Sequence, residues 1–161
     1  MTNNTFAKVI YTNKLFNLQD SSLFTQTSLV FSDRTEVQGD STEMNLYQFT
    51  SLVTFSSGDY SFRSIRKLRI EDLANLKTVT IGEGAFTLSV SGQRAANGNE
   101  LVIDGCGNLE TITIGDYAFA DYTSVRFAGL PKLKSITIGS DAVDGSRNFM
   151  HTTYFMLSSK E

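Results

Sequence analysis

Only one histidine, His151, and one cysteine, Cys106, occur in the 161 residues. A structural zinc site normally takes four Cys or His ligands, so this chain alone cannot build one. A lone thiol closes no intrachain disulfide, which excludes a small disulfide-stapled scaffold. A Ser-His-Asp triad would have to run through His151, ten residues from the C-terminus. No acid–base pair or nucleophile constellation stands out, so the chain is read as not an enzyme, with no catalytic residue, cofactor or metal. Asp59, Glu83, Asp116 and Asp141 lie beside glycines. Stacked carboxylates could hold calcium, which takes several oxygen ligands, but no repeating G-x-D pattern supports this, and solvated turn acids are the plainer reading. Arg63, Arg66, Lys67 and Arg69 form a short basic cluster that reads as a solvated edge. With 14 basic and 17 acidic side chains and a net charge of −3, no nucleic-acid partner is expected.

The elements that must position these residues come from a repeat. Leu68 opens LRIEDLANLKTVTIGEGAF, Leu101 opens LVIDGCGNLETITIGDYAF and Val125 opens VRFAGLPKLKSITIGSDAV. These align without a gap, and a weaker copy, MNLYQFTSLVTFSSGDYSF, starts at Met44. A fifth begins at Tyr154 and is incomplete. Met44 to Leu68 and Leu101 to Val125 are both 24 residues. The longer intervals place insertions within Thr87–Asn99 and Asp144–Thr152, both after the Ala-Phe corner and therefore on one edge. Self-similarity at such a period signals a solenoid.

Within a unit, Leu101-x-Ile103 and Ile112-x-Ile114 alternate in the manner of strands with one buried face. No unit holds a helix-length pattern. Each is strand, turn, strand, turn, and only stacking buries its apolar side, with the strands paired in parallel. Three columns follow: Leu52, Leu76, Leu109, Leu133; Phe55, Val79, Ile112, Ile136; and Phe62, Phe86, Phe119, Val143. Cys106 shares a column with Leu73 and Leu130 and reads as a small buried hydrophobe. Gly58, Gly82, Gly115 and Gly139 follow the second strand, where glycine permits positive φ or a tight corner. Tyr60, Tyr117 and Tyr122 are expected to pack at corners, Asn75 and Asn108 to bond turn backbone, and His151 to sit in a loop.

The outward positions of the second strand give the candidate partner-binding face: Lys77, Thr78 and Thr80; Glu110, Thr111 and Thr113; Lys134, Ser135 and Thr137. Val53, Thr54 and Ser56 continue it one unit earlier. Threonine also favours strands and keeps a sheet soluble, and this explains why a chain with 19% charged residues holds 36 Ser and Thr. T-x-T rows on a flat solenoid can order ice, but Ser56 and Ser135 interrupt them here.

The pattern L-x-x-I-x-I-G-x-x-A-F, as in Leu109 to Phe119, resembles a leucine-rich repeat, and more narrowly the bacterial-surface-antigen-like (BspA-like) class. The resemblance spans about Met44 to the C-terminus. It implies a β-dominated, right-handed leucine-rich-repeat solenoid of parallel strands with little or no α-helix. It also implies a protein-interaction module or, alternatively, a structural and adhesive segment of a larger cell-surface protein. Residues 1–43 are expected to be an N-terminal cap or a decayed repeat, and residues 44–161 the solenoid. No apolar run reaches the ~20 residues of a membrane span. The segment Met1 to Phe16 lacks the apolar stretch of a secretory signal. The chain as given thus reads as cytoplasmic, and as a surface protein if it is cut from a longer array. The unfinished unit at Tyr154 favours such a cut and leaves an uncapped C-terminal end open to association.

Overall fold

Burial alternates residue by residue along the strands. In the segment Lys67–Glu71, Leu68 and Ile70 are fully buried while Lys67, Arg69 and Glu71 are half-exposed. A period of two puts successive side chains on opposite faces of an extended strand, so each strand has one inner and one outer face. The computed structural model describes residues 8–11, 15–88, 98–139 and 147–158. They form β1 (Lys8–Tyr11), β2 (Leu15–Phe16), β3 (Ser28–Phe31), β4 (Glu36–Val37), β5 (Glu43–Asn45), β6 (Thr54–Ser56), β7 (Lys67–Glu71), β8 (Thr78–Ile81), β9 (Glu100–Asp104), β10 (Thr111–Ile114), β11 (Ser124–Ala128), β12 (Ser135–Ile138) and β13 (Tyr154–Ser158). The single helical element among them is a 3₁₀ turn, Ser21–Leu23, whose first turn is capped by Asp20.

The strands stack into two main sheets. First strands of the units give the order β13-β11-β9-β7-β5, and second strands give β1-β3-β6-β8-β10-β12. Every pairing in both is parallel. A short pair, β2 with β4, stands apart. The chain runs out along one sheet and back along the other, so the fold is a β-dominated parallel solenoid without α-helix among the described residues. No helix there is long and apolar enough to cross a membrane. Residues 8–11 and 28–31 extend the second-strand sheet by two rungs beyond the unit that begins at Met44.

The core lies between the sheets. Leu52, Leu76 and Leu109 are fully buried and Leu133, in the last full unit, partly so. Phe55, Val79 and Ile112 behave the same way, with Ile136 partly buried at the open end. Each full burial contributes roughly 1.5–3 kcal/mol before entropy is subtracted. Tyr122 is wholly buried, and its hydroxyl donates to the Ile65 carbonyl at 2.8 Å.

The phenylalanine column needs a correction. Phe62 and Phe86 lie 5.3 Å apart, Phe86 and Phe119 5.1 Å, and the next ring on the stack is Phe149, 5.7 Å from Phe119 at 6°. The expected member, Val143, lies outside the described residues. Phe149 shares the left-handed backbone of its column, with φ +54 against +56, +56 and +55 for Phe62, Phe86 and Phe119. The amide of Thr152 then bonds the Phe149 carbonyl just as Tyr122 bonds Phe119 and Ile65 bonds Phe62. Gly139 still follows Gly115 in register, since their amides bond Ile114 and Ile81. The second insertion therefore precedes its corner, between Gly139 and Phe149, whereas the first follows Phe86. Both inserted segments, 89–97 and 140–146, lie outside the described residues, each in the connection from a second strand to the next first strand.

Two further corrections concern register and glycine. Val125 pairs with Phe155 and Ser124 with Tyr154, so the last unit is in step from Phe155, one residue later than the sequence alignment sets it. Gly58, Gly82 and Gly115 do not adopt positive φ, unlike Gly139 at +67. They serve the tight corner instead: a Cβ on Gly115 would stand 2.6 Å from the Glu83 nitrogen.

Candidate interaction face

Outward residues of β6, β8, β10 and β12 align by strand register into two columns. Thr54, Thr78, Thr111 and Ser135 form one, which Ser28 continues on β3. Ser56, Thr80, Thr113 and Thr137 form the other, continued by Val30. Neighbouring strands of a sheet lie roughly 4.8 Å apart, close enough for Thr78 Oγ1 to bond Thr54 Oγ1 at 3.2 Å. Thr80, Thr113, Ser135 and Thr137 are exposed, and Thr78 and Thr111 half-exposed.

A third column runs just ahead of the strands. The amides of Lys77, Glu110 and Lys134 bond the carbonyls of Val53, Lys77 and Glu110 in turn. Their side chains thus stack as cation, anion, cation. Lys134 Nζ lies 2.5 Å from Glu110 Oε2, and this hydrogen bond, with the charge of Lys134 and then of Lys77, holds the Glu110 carboxyl below its ordinary range. All nine residues singled out in the sequence lie on this one surface.

The outer face of the other sheet differs in kind. Lys67 meets Glu43 at 2.8 Å, Arg69 meets Glu100 at 2.6 Å, and Arg126 meets Asp104 at 2.7 Å. Its charges are neutralised within the fold. Arg63 donates to the carbonyls of Thr87 and Leu88. Three members of the basic cluster therefore have their heads engaged.

The corner acids act as ties between units. Asp33 Oδ1 accepts from the Asp59 amide at 2.9 Å, and Asp59 Oδ1 from the Glu83 amide at 2.8 Å. The Tyr60 hydroxyl donates to the Glu83 carboxylate, which raises the phenol's pKa above its ordinary value. Asp141 lies outside the described residues. Among those described, no group of three or more His, Cys, Asp and Glu is placed to hold a metal ion. Asn75 and Asn108 do bond turn backbone, but in the preceding unit: their amides donate to the Thr50 and Ala74 carbonyls at 3.0 and 2.7 Å. His151 is half-exposed and directly precedes the approach to β13.

Cys106 is fully buried between Leu73 and Leu130 in its column. Burial pushes the thiol up to about 11 from 9.0. The reactive species is the thiolate, so Cys106 is expected to resist a thiol reagent at pH 8 until the protein is unfolded with denaturant. Labelling of the native protein at the rate of a free thiol would show that the column opens. The same shift sets a stability slope. Above pH 9 the unfolded chain loses this proton while the folded chain keeps it, so stability falls between about pH 9 and pH 11.

One apolar region was only partly legible. Ile138, Phe155 and Leu157, at the C-terminal end of the two sheets, are 40%, 50% and 62% exposed. The periodic pattern assigns Ile138 to the core, whereas it is the strand register that turns Phe155 and Leu157 inward; only the stacking order shows that nothing described lies beyond them. No family model, curated protein or solved structure matches this chain.

Proposed function

We propose that the chain is a non-catalytic protein-interaction module of the leucine-rich-repeat type, in the BspA-like class, binding through the outward face of the second-strand sheet. The supporting observation is the contrast between the two outer faces. One spends its charges on internal ion pairs. The other presents two hydroxyl columns, a regular array of donors and acceptors, beside the Lys77, Glu110, Lys134 row, in which Glu110 pairs with Lys134. Repeat scaffolds present extended surfaces of this kind to partners. Hydroxyls and alternating charge would select a polar, hydrogen-bonding protein surface rather than an apolar peptide.

The test is affinity capture with the purified chain beside two variants. One carries Lys77→Glu, Glu110→Lys and Lys134→Glu; the other carries Arg69→Glu and Arg126→Glu on the opposite face. The first is expected to lose its partners and the second to keep them. Retention of every partner by the first variant overturns the assignment of this face.

A further inference from the structure

A second candidate site lies at the corners that follow the second strands. Arg34, Tyr60, Gly84 and Tyr117 hold the same left-handed position in successive corners, with φ +60, +55, +58 and +59. Backbone bonds fix their order: the amides of Arg34, Tyr60 and Gly84 donate to the carbonyls of Asp59, Glu83 and Asp116. Gly84 decides how the tyrosine lies. A Cβ there would stand 2.6 Å from Tyr60 Cδ1 and Cε1, so the ring leans onto the glycine. The lean takes it away from Arg34, its neighbour on the other side of the column. An open cavity of about 290 Å³ remains, lined by Arg34, Glu36, Tyr60 and Arg63.

Three of the four lining groups are held in place. The Tyr60 hydroxyl donates to the Glu83 carboxylate. Arg63 Nε and Nη2 donate to the carbonyls of Thr87 and Leu88 at 3.2 and 3.0 Å. Of the five N–H groups of a guanidinium, two are thus spent and about three remain. Glu36 accepts from the Arg63 amide at 3.0 Å and from the amide and hydroxyl of Ser64 at 3.5 and 3.3 Å. A carboxylate has about four lone-pair sites, so about one is left. The fourth group, Arg34, is exposed, and among the described residues its guanidinium has no hydrogen bond or ion pair. The corner acids beside it are occupied elsewhere: Asp33 and Asp59 each give Oδ1 to the amide of the next corner.

We propose that this cavity binds a sugar acid of the uronic-acid class, free or at the end of a glycan. The lining specifies each part of the ligand. Two guanidinium groups with unspent donors suit a carboxylate, which the planar fork of arginine takes bidentately. The Tyr60 ring is a flat apolar wall for the C–H face of a pyranose. Glu36 needs a donor, and a ring hydroxyl supplies one. Phosphate fits less well, because it sets further negative charge against Glu36. A neutral sugar leaves both arginines without an anion. The volume stands at the small end of the range for ligand sites and gives room for one ring, while the open side lets the rest of a glycan run into solvent.

The test is an amide chemical-shift titration of the full 161-residue chain with D-glucuronate, its methyl glycoside, glucose and inorganic phosphate, at constant pH and ionic strength. Glucuronate is expected to saturate with a Kd of about 1 mM, the scale for a ligand of this size, and glucose and phosphate to bind at least tenfold more weakly. Arg34→Gln is expected to lose at least tenfold in glucuronate affinity at an unchanged melting temperature, since the Arg34 side chain bonds nothing described in the fold. Arg126→Gln, on the outer face of the other sheet, is expected to keep the affinity. Two outcomes support the site and separate its sources: a methyl glycoside that binds as tightly as glucuronate places the ligand at a glycan end, and one that does not bind assigns the site to the free acid. Absence of saturation by glucuronate overturns the proposal. So does equal binding of glucose or phosphate, and so does a folded Arg34→Gln that binds glucuronate like the unmodified chain.

Discussion

Phe119→Ala is expected to destabilise the protein by roughly 3–5 kcal/mol, the usual range for removing a buried aromatic. Phe119 is fully buried and sits at the centre of a ring column. Phe86 stacks on one side at 5.1 Å, Phe149 on the other at 5.7 Å, and Tyr122 meets its edge at 4.8 Å. The site cannot collapse easily to fill the space, because Phe86 and Phe149 belong to other corners held by their own backbone hydrogen bonds and the Tyr122 hydroxyl is tied to the Ile65 carbonyl. Its backbone adds to the argument. Phe119 has φ +55, a left-handed conformation that costs a bulky residue roughly 1–3 kcal/mol. Alanine keeps most of that cost and loses the ring contacts that offset it. For a chain of this length the melting temperature should fall by roughly 10 °C or more. Tyr47→Ala, at a position 56% exposed, serves as the comparison and should move it little. Equal melting temperatures for Phe119→Ala and the unmodified protein would rule out the column as a main source of stability.

What could be read in the sequence followed from how strictly each position is constrained. Leu76 and Leu109, Val79 and Ile112, and Phe86 and Phe119 are inner-face residues stacked on their own equivalents, so the same residue types recur at a fixed period. The outward Thr78, Thr80, Thr111 and Thr113 were legible for the same reason, since alternation assigns the face once the strand is known. Val143 was misassigned because Ile138-Gly139-x-x-Ala142-Val143 repeats the corner pattern of Ile114-Gly115-x-x-Ala118-Phe119. Local pattern favoured Val143; ring stacking and the three-residue step from corner to strand chose Phe149. The same insertion hides the one-residue shift that pairs Val125 with Phe155, because both inserted and core segments there contain apolar residues. β1 and β3 were faint because the first units keep the second strand but lose the glycine corner: Ser32 occupies the place of Gly58. The C-terminal edge was legible only as an unfinished unit. Its uneven ending depends on which sheet each last strand joins, and that is a property of stacking.

The glycine corners were legible as a column but ambiguous in cause, and the resolution carries the second large prediction. Gly82→Ala is expected to cost roughly 3 kcal/mol or more, at or above the top of the usual range for overpacking. A Cβ on Gly82 would lie 2.4 Å from the Gly58 carbonyl carbon, 2.5 Å from its oxygen and 2.6 Å from the Asp59 nitrogen. All three are backbone atoms, so no rotamer change relieves the clash. The corners would have to separate, and separation strains the ties that join them there: Asp59 Oδ1 to the Glu83 amide and Ser57 Oγ to the Gly82 amide. Gly115 rests on Gly82 and Glu83 in the same way, so the displacement would reach the next corner as well. Gly107→Ala provides the contrast. A Cβ there meets nothing within 4 Å, and alanine narrows the unfolded ensemble, so that variant should match the unmodified protein or exceed it by about 0.4–1 kcal/mol. Urea unfolding midpoints decide between a packing cause and a general intolerance of alanine. If glycine serves the close approach of corners, only Gly82→Ala falls; equal loss in both variants assigns the effect to backbone flexibility instead.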